Sequence, residues 1–270
     1  MGYSIHEEKN GQLSFRISTA PGNYVVQANK MIIGRQNLKL NEAKLIRAII
    51  MQILYDDMDF KPYIVSAKEF AKLIGNCDAS NIYRTASELC SSIMTKQLEI
   101  TDDDGSWIKI QWVSLCKYDS KTGMFYIKLN DDLKPFLLGL GEKGYYTQYE
   151  FGDINHFSSI YALRIYELLL EGIILKVLPK KGVNVTLTKE LIQDACMLYR
   201  ANRMGKDKGI ESKFNRISQM KERVLDIACR DINKYTIFEV SYITLKAGKS
   251  IDSFQFLIKP KYEIDVALSR

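Results

Sequence analysis

The segment with the clearest potential for chemistry covers residues 211–235 and reads ESKFNRISQMKERVLDIACRDINKY. It carries Asn215, Arg216, Gln219 and Arg223 on four nearby positions. An arginine can donate two hydrogen bonds to the O6 and N7 atoms of guanine, and an asparagine or glutamine can pair in the same two-point way with adenine. These side-chain types therefore indicate contact with the edges of DNA bases.

The same segment has the apolar spacing of an amphipathic helix. A step of 100° per residue places one apolar set on a single face: Phe214, Ile217, Val224, Leu225, Ala228 and Ile232. The polar residues lie opposite, with Arg216 at the edge of their face. A solvated outer helix would show this pattern too, stabilised by pairs such as Arg223 with Asp226. The alternative is that the segment is the second helix of a helix-turn-helix, which enters the major groove of DNA. The elements around the segment favour this alternative.

Basic residues flank this helix on both sides. The predicted contacts with the DNA backbone include one residue of the helix itself: Arg200, Arg203, Lys206, Lys208, Lys213, Lys221, Lys246, Lys249 and Ser250. Residues 199–270 contain 15 lysines and arginines against nine acids, and so carry the whole net charge of +6. Such asymmetry is typical of a surface that binds a polyanion, although a merely soluble basic segment would show it as well.

The chain shows the same order of elements twice: a helix, a short capped helix, a longer helix and a two-stranded hairpin. In the first half, Asn41 is the expected cap of the first helix, and Ser66 with Glu69 forms a capping box for the second. The third helix follows, and then a hairpin over residues 98–115 with an acidic turn.

The second half repeats this plan from Ser158, the expected cap of its first helix, and from Thr188, the expected cap of its second. Apolar and polar residues alternate over residues 238–260 on both sides of a glycine-containing turn, and this pattern predicts two strands. A helix-turn-helix needs a further helix and a hairpin to close its core, and this order is typical of a winged helix. The sequence therefore predicts an α+β fold made of two tandem winged-helix domains.

The glycine-rich segment LGLGEKGYYTQYE, residues 138–150, is the best candidate for a domain boundary. We predict an N-terminal arm at 1–24, a first winged-helix domain at 25–143 and a second at 144–270. The first domain offers Asn81, Arg84 and Ser87 as secondary DNA contacts. The turn of its predicted wing carries three acids, Asp102 to Asp104, which repel phosphate. We therefore expect this domain to bind DNA weakly or to contact protein.

Three stretches resemble the initiator Rep proteins of theta-replicating, iteron-containing bacterial plasmids. They are VVQANKMI with LKLNEAKLI, then FYIKLNDDLKPFLLGL with YTQYEFGDINHFSSIYALRIYELL, and finally MKERVLDIACRDINKYTIFEVSY with GKSIDSFQFLI. The resemblance covers about residues 25–259. It implies two winged-helix domains, of which the second makes the main major-groove contacts to directly repeated origin sequences. The first would mediate dimerisation and add some DNA contact.

The resemblance also implies a mode of action and a set of partners. Monomers of such initiators bind iterons and help to open the origin, whereas dimers repress their own promoter or couple origins. The expected partners are double-stranded origin DNA, a second copy of the chain, and the host replication initiator and helicase. The recognition-helix role carries over to Arg216, Gln219, Lys221 and Arg223. Glu222 departs from the family pattern, which often has a basic residue among these positions.

The residues that other chemistries need are missing from the sequence. The two histidines, His6 and His156, are far apart, and no zinc-ligand spacing occurs. The stretch KAGKS lacks the earlier glycine of a phosphate-binding loop. Cys90, Cys196 and Cys229 fall in helical patterns and are expected to be small buried residues. We expect no enzyme activity, no metal, no cofactor, no membrane span and a reducing cytoplasm as the location.

The hypothesis is therefore a plasmid replication initiator that recognises origin repeats and also represses its own gene. The alternative within the same class is a tandem winged-helix transcriptional repressor without an initiator role. A nicking Rep enzyme would cleave supercoiled DNA with a metal ion, and a pure protein-interaction module would lack salt-dependent affinity for DNA.

Overall fold

The computed structural model describes residues 23–73, 82–173, 178–201, 210–214 and 216–262, together with the residue pairs 6–7 and 13–14. The elements of the first half are, in chain order, β1 (His6–Glu7), β2 (Leu13–Ser14), β3 (Tyr24–Ala28), α1 (Asn29–Ile33), β4 (Arg35–Gln36), α2 (Leu40–Ile50), β5 (Tyr63–Ser66), α3 (Ala67–Leu73), α4 (Ile82–Ile93), β6 (Gln97–Thr101), β7 (Trp107–Gln111), β8 (Val113–Asp119) and β9 (Met124–Leu129).

The remaining elements are a 3₁₀ turn (Asp131–Leu133), α5 (Lys134–Leu137), α6 (Leu140–Lys143), β10 (Tyr146–Glu150), α7 (Phe151–Asn155), α8 (Ile160–Glu171), β11 (Val183–Thr188), α9 (Lys189–Ala195), β12 (Tyr199–Ala201), β13 (Ile210–Ser212), α10 (Ile217–Met220), a π-helical turn (Lys221–Leu225), α11 (Asp226–Tyr235), β14 (Phe238–Ala247) and β15 (Ser250–Pro260). The last three helical segments are continuous, and residues 217–235 are called the long helix below.

Two units of the chain have the winged-helix order, and the predicted fold class is confirmed. The first unit consists of α2, β5, α3, α4, β8 and β9, and the second of α8, β11, α9, the long helix, β14 and β15. Each closes with an antiparallel three-stranded sheet in which the last strand is central, ordered β5-β9-β8 and β11-β15-β14. The predicted alternation in the second unit places Val240, Phe254 and Phe256 in its core.

The prediction that the acidic hairpin is the wing of the first unit was wrong. Strands β6 and β7 form that hairpin, but they join β4 in a separate sheet. The hairpin that pairs with β5 is β8–β9, where Val65 lies opposite Phe125 and Tyr63 opposite Ile127. The reason is that β5 is only four residues long, and its partner is distant in the sequence, with Tyr63 opposite Ile127 and Ser66 opposite Met124, so no local pattern identifies the pairing.

A two-stranded sheet joins the start of the described chain to the segment after the glycine-rich stretch. Strand β3 pairs with β10, with Val25 opposite Tyr149. The chain enters β10 through turns at Gly139 (φ 63°) and Gly144 (φ 67°), a left-handed backbone that glycine adopts without steric cost. These glycines therefore let the chain reverse and return to the strand where the first half begins.

Helix α8 lies between the two units and is buried on all sides from Ala162 to Leu170. It packs against α1 and α2 of the first half and against α11 of the second. The ring of Tyr166 contacts Phe157 (centroids 5.5 Å apart) and Phe238 (6.3 Å). A helix that is buried on all sides belongs to the interior, and the two units consequently share one continuous core.

The helix caps agree only in part with the sequence predictions. Thr188 caps α9 by accepting a hydrogen bond from the Leu191 amide at 3.1 Å, as predicted. The cap of α8 is Ser159, whereas the predicted Ser158 bonds instead to Asp231. The expected cap at Asn41 was also wrong, because α2 begins one residue earlier, at Leu40.

The cysteines also differ in part from expectation. Cys90 on α4 forms a disulfide with Cys116 on β8, with 6.1 Å between their Cα atoms, so Cys90 is not the free buried residue that was predicted. Cys196 is free and buried, and Cys229 is free and half-buried. Burial raises the pKa of both thiols to about 12, which keeps them protonated and unreactive at neutral pH.

Candidate nucleic-acid interface

The long helix separates its apolar and polar residues onto two faces. Its buried face contacts α8 and β14 through Met220, Val224, Leu225, Ala228 and Ile232. The opposite face is exposed at the start of the helix, at Arg216, Ser218, Glu222, Arg223 and Asp226. The burial pattern agrees with the amphipathic face read from the sequence.

The candidate base-reading residues are free to contact a ligand. Arg216 is the residue before the first turn of α10, Gln219 is half-buried, and Arg223 is exposed. None of these three side chains makes a hydrogen bond or ion pair to another residue in the described part of the chain. Asn215 lies outside that part. A face of donors and acceptors left unpaired by its own fold is suited to bonding an external partner.

The pairing that would mark a merely solvated helix is missing among the described residues. Asp226 accepts a hydrogen bond from the Tyr242 hydroxyl at 2.6 Å, and no ion pair joins it to Arg223. Burial, and then the nearby Asp226 carboxylate, raise the pKa of Tyr242, which therefore remains a hydrogen-bond donor. This contact fastens the long helix to strand β14.

One turn of the long helix, Lys221–Leu225, is π-helical. The hydrogen bonds of a π turn span one more residue than those of an α turn. The assignment of residues to faces at 3.6 residues per turn is therefore not valid across this turn. Such turns are frequent at functional sites, and no feature of the sequence indicated this one. The Lys221 ammonium lies 5.8 Å from the ring centroid of Tyr242, which places this predicted backbone contact between the helix and the hairpin.

The predicted wing of the second unit is exposed at its tip. Lys246, Lys249 and Ser250 are all solvent-accessible, and Gly248 makes the turn with φ at 63°. A bulge between Leu245 and Lys246 shifts the strand register just before the tip. Bulges increase the local twist of a hairpin, so the charged tip turns out of the plane of the sheet.

The basic segment before the long helix is only partly described. Arg200 pairs with Glu211 through the backbone of strands β12 and β13. The residues between these strands, including the predicted contacts Arg203, Lys206 and Lys208, lie outside the described residues. Lys213 is exposed, and its ammonium donates a hydrogen bond to the Tyr161 hydroxyl on α8.

In the first unit, the equivalent helix α4 presents Arg84 and Ser87 to solvent, whereas Asn81 is outside the described residues. Arg84 has a loose contact with Glu88 on the next turn, at 3.8 Å, with both side chains 71% exposed. An exposed pair of this kind contributes little stability and leaves the guanidinium available. The structure therefore brings Arg84 and Ser87 to one exposed helix face.

The acids that were expected to repel DNA lie on the β6–β7 hairpin, outside the wing. Asp102 pairs with Lys30 at 2.6 Å, and Asp104 accepts a hydrogen bond from the Ser106 amide, which lowers its pKa. The wing of the first unit, β8–β9, instead carries Lys117 and Lys121, both exposed. These two lysines are candidates that the sequence reasoning missed. The apolar residues at alternate positions of β9, Phe125, Ile127 and Leu129, were the sequence signal that could have revealed their hairpin.

Within the described residues, no group of three or more histidine, cysteine or acidic side chains is arranged to hold a metal ion. His156 packs against the ring of Tyr235, with 5.4 Å between centroids. No helix in that part of the chain is both long and apolar enough to cross a membrane.

Fold and site together define a tandem winged-helix protein whose second unit has an exposed basic hairpin tip and a helix face on which Arg216, Gln219 and Arg223 have no partner among the described residues. The family model described as "Initiator Replication protein, WH1" matches residues 24–170, and the one described as "Initiator Rep protein, WH2" matches residues 206–258. The chain belongs to this initiator replication protein family, and the family predicted from the sequence is confirmed.

Individual relatives agree with this assignment. The chain is 22% identical over 247 residues to a replication initiation protein of Escherichia coli, an alignment that covers 90% of this chain and 71% of that protein. Its fold is similar to that of the Pi initiator protein in a crystal structure with iteron DNA. That match has a TM-score of 0.72 and 16% identity, and covers 90% of this chain and 100% of the other.

Proposed function

We propose that this protein initiates replication of a plasmid by binding directly repeated origin sequences through its second winged-helix unit. The observation that carries the proposal is the face of the long helix with Arg216, Gln219 and Arg223, which have no partner among the described residues, in the same unit as the exposed basic tip at Lys249. Membership of the initiator family and the likeness to a structure determined with iteron DNA support it.

Two kinds of contact follow from the arrangement of this surface. We expect Asn215, Arg216, Gln219 and Arg223 to read base edges in the major groove, because the last three lie at the start of the helix that a winged helix inserts and Asn215 precedes Arg216 in the sequence. The basic residues of the flanking segments and the hairpin hold phosphates and supply affinity that falls with salt: Arg200, Arg203, Lys206, Lys208, Lys213, Lys221, Lys246, Lys249 and Ser250.

The first winged-helix domain, which we place at residues 25–143, contributes secondary contacts through Asn81, Arg84 and Ser87. Lys117 and Lys121 on its wing add phosphate contacts. The same domain mediates self-association, so that the protein exchanges between monomer and dimer. The second domain, at residues 144–270, carries the main recognition surface.

The protein acts by binding and has no catalytic role in this proposal. As a monomer on the repeats it helps to open the origin and recruits the host replication initiator and helicase in the cytoplasm. As a dimer it represses its own promoter. A tandem winged-helix repressor would share the DNA contacts but would not support replication.

The test is binding of the purified protein to the origin repeats of its own plasmid and to scrambled DNA, across a salt series. We expect an affinity for the repeats about 10³-fold or more above that for scrambled DNA. Equal and steeply salt-dependent binding to both would reduce the surface to a nonspecific basic patch and overturn the proposal. A plasmid that replicates without this gene, despite specific binding, would establish the repressor instead.

A further inference from the structure

One buried arginine holds backbone from both halves of the molecule. Arg164 on α8 donates hydrogen bonds to the carbonyl oxygens of Ile32 and of Gly34, the latter at 2.9 Å, at the end of α1. Its Nε donates to the carbonyl of Ala195, the last residue of α9, at 3.2 Å. Only 1% of Arg164 is exposed. Helix α9 belongs to the helix-turn-helix of the second unit, whereas α1 belongs to the first half.

These carbonyls are groups that need a partner. The last carbonyls of a helix accept no hydrogen bond from an amide of the same helix, and they carry partial negative charge. Buried without a partner, each would cost free energy, and water is excluded here. A guanidinium presents its donors in a fixed planar fork, so satisfying both helix ends at once also fixes their relative position.

The orientation of Arg164 is itself fixed by Glu167, one turn later on α8. The two side chains bond at 2.7 Å, and Glu167 also accepts from Arg47 on α2 and, at 2.6 Å, from the Tyr149 hydroxyl. Burial alone would raise the pKa of Glu167, but the two guanidiniums outweigh it and hold that pKa below its usual value. The carboxylate therefore stays charged and anchors Arg164 to α2 and β10.

A second, surface link crosses the same junction. Arg35 on β4 pairs with Asp194 on α9 at 3.0 Å and with Glu99 on β6 at 3.1 Å. The end of α9 is thus held twice against the first half, once by Arg164 in the interior and once by Arg35 at the surface.

We propose that Arg164 and Glu167 are positioning residues that fix the angle between the two winged-helix units, and thereby the spacing between the two DNA segments that the protein accepts. The proposal builds on the proposed function, since it concerns how the two DNA-contacting helices are held apart. The protein should therefore prefer a DNA duplex in which the segment bound by the first unit and the segment bound by the second unit have one fixed separation and helical phase.

The experiment compares the wild type with Arg164→Lys and Glu167→Gln on a set of origin-repeat duplexes. Footprinting of the wild type defines the two protected segments, and 1 or 2 base pairs are then inserted between them. Two base pairs rotate one segment by roughly 70° about the helix axis, taking about 10.5 base pairs per turn. We expect the wild type to lose about tenfold or more in affinity, the size of a single mismatch effect.

The variants should bind the inserted and native duplexes to within about threefold of each other, because their units can rotate relative to one another. Their affinity for a duplex carrying only the segment of the second unit should equal that of the wild type. A role in stability alone would lower the melting temperature but leave the spacing preference intact, and that result would overturn the proposal.

A measurement without DNA separates this proposal from the proposed function. Spin labels at Ser87→Cys on α4 and Ser218→Cys on the long helix, both exposed positions, report the distance between the units. A Cys77→Ser, Cys229→Ser background removes Cys77 and the half-buried free thiol of Cys229 as competing labelling sites. The distribution of distances should be narrow in the otherwise wild-type protein and broad in Arg164→Lys. If the wild type shows no preference for origin DNA, the proposed function fails, while an unbroadened distribution refutes the positioning role.

If both Arg164→Lys and Glu167→Gln fail to fold, the ion pair between Arg35 and Asp194 provides another test of whether contacts at this junction fix the angle between the units. Arg35→Gln removes the ion pair to Asp194 and should weaken the spacing preference and broaden the distances. Lys109→Gln is the matched control, because Lys109 pairs with Glu99 at 2.9 Å on the same sheet without reaching the second unit. Equal behaviour of these two variants would refute the proposal.

Discussion

Arg223 gives the sharpest test of the recognition surface, through the substitution Arg223→Ala. Its side chain is exposed and makes no hydrogen bond or ion pair within the described part of the chain, so its removal should change the free energy of unfolding by less than about 0.5 kcal/mol. A two-point contact with guanine is worth about 1–3 kcal/mol of discrimination. This corresponds to a loss of roughly 5- to 150-fold in affinity for the origin repeat.

Fluorescence anisotropy of labelled duplexes, at three or more salt concentrations, measures this loss and its origin. For Arg223→Ala we expect weaker binding to the repeat, little change on scrambled DNA and an unchanged dependence on salt. Lys249→Ala at the hairpin tip is the matched control. It should weaken binding to both duplexes alike and reduce the salt slope by about 1, as the loss of one phosphate contact does.

Arg223→Ala and Lys249→Ala must behave differently if Arg223 contacts a base and Lys249 contacts a phosphate. If Arg223→Ala weakens both duplexes equally and flattens the salt slope, Arg223 contacts phosphate and does not read a base. If it changes nothing, the polar face of the long helix is only solvated.

Three further predictions concern the wing, the core and pH. Replacing both Lys117 and Lys121 by alanine should lower the salt slope by about 2 in the same titrations, and an unchanged slope would remove the first wing from the interface. Leu225→Ala, at a fully buried position, should lower the free energy of unfolding measured in urea by about 2–5 kcal/mol. A decrease of less than about 1 kcal/mol would show that the long helix does not depend on this contact. Burial raises the pKa of Asp153 from 3.8 to about 6, despite a hydrogen bond from Tyr166. The folded protein therefore binds the proton of this carboxyl more tightly than the unfolded chain does. As pH rises from about 4 to 6 the proton is lost, and the free energy of unfolding falls by about 2–3 kcal/mol. Asp153→Asn should therefore be more stable than the wild type at pH 7.5 but equal to it near pH 4, and a difference independent of pH in urea titrations would contradict this reasoning.

The structure bears on the choice between a recognition helix and a solvated one. A solvated helix satisfies its charges by pairing along its own surface. Here Asp226 bonds to Tyr242 on the hairpin, and Arg223 stays unpaired among the described residues. The acidic side chain that would have neutralised the arginine is used to hold the wing to the helix.

Elements with a local residue pattern could be predicted from the amino-acid sequence alone. The apolar stripe through Val224, Leu225 and Ala228, the alternation through Phe254 and Phe256, and the cap at Thr188 each depend on residues within a turn or two. They were sufficient for the order of the helices in both units, for the wing of the second unit and for the exposed face that carries Arg216 and Arg223.

The pairing of the strands and the burial of charged side chains could not be predicted without the folded structure. The true first wing depends on β5 meeting β9, and a strand of four residues has no local mark of its partner. Arg164 and Glu167 look like an ordinary surface pair three residues apart on a helix, yet they are buried at the junction of the two units. Their role follows from hydrogen bonds to the carbonyls of Ile32 and Ala195, which are 132 and 31 residues from Arg164 in the sequence. Burial and strand pairing are set by contacts between distant parts of a chain, and these exist only once the chain has folded.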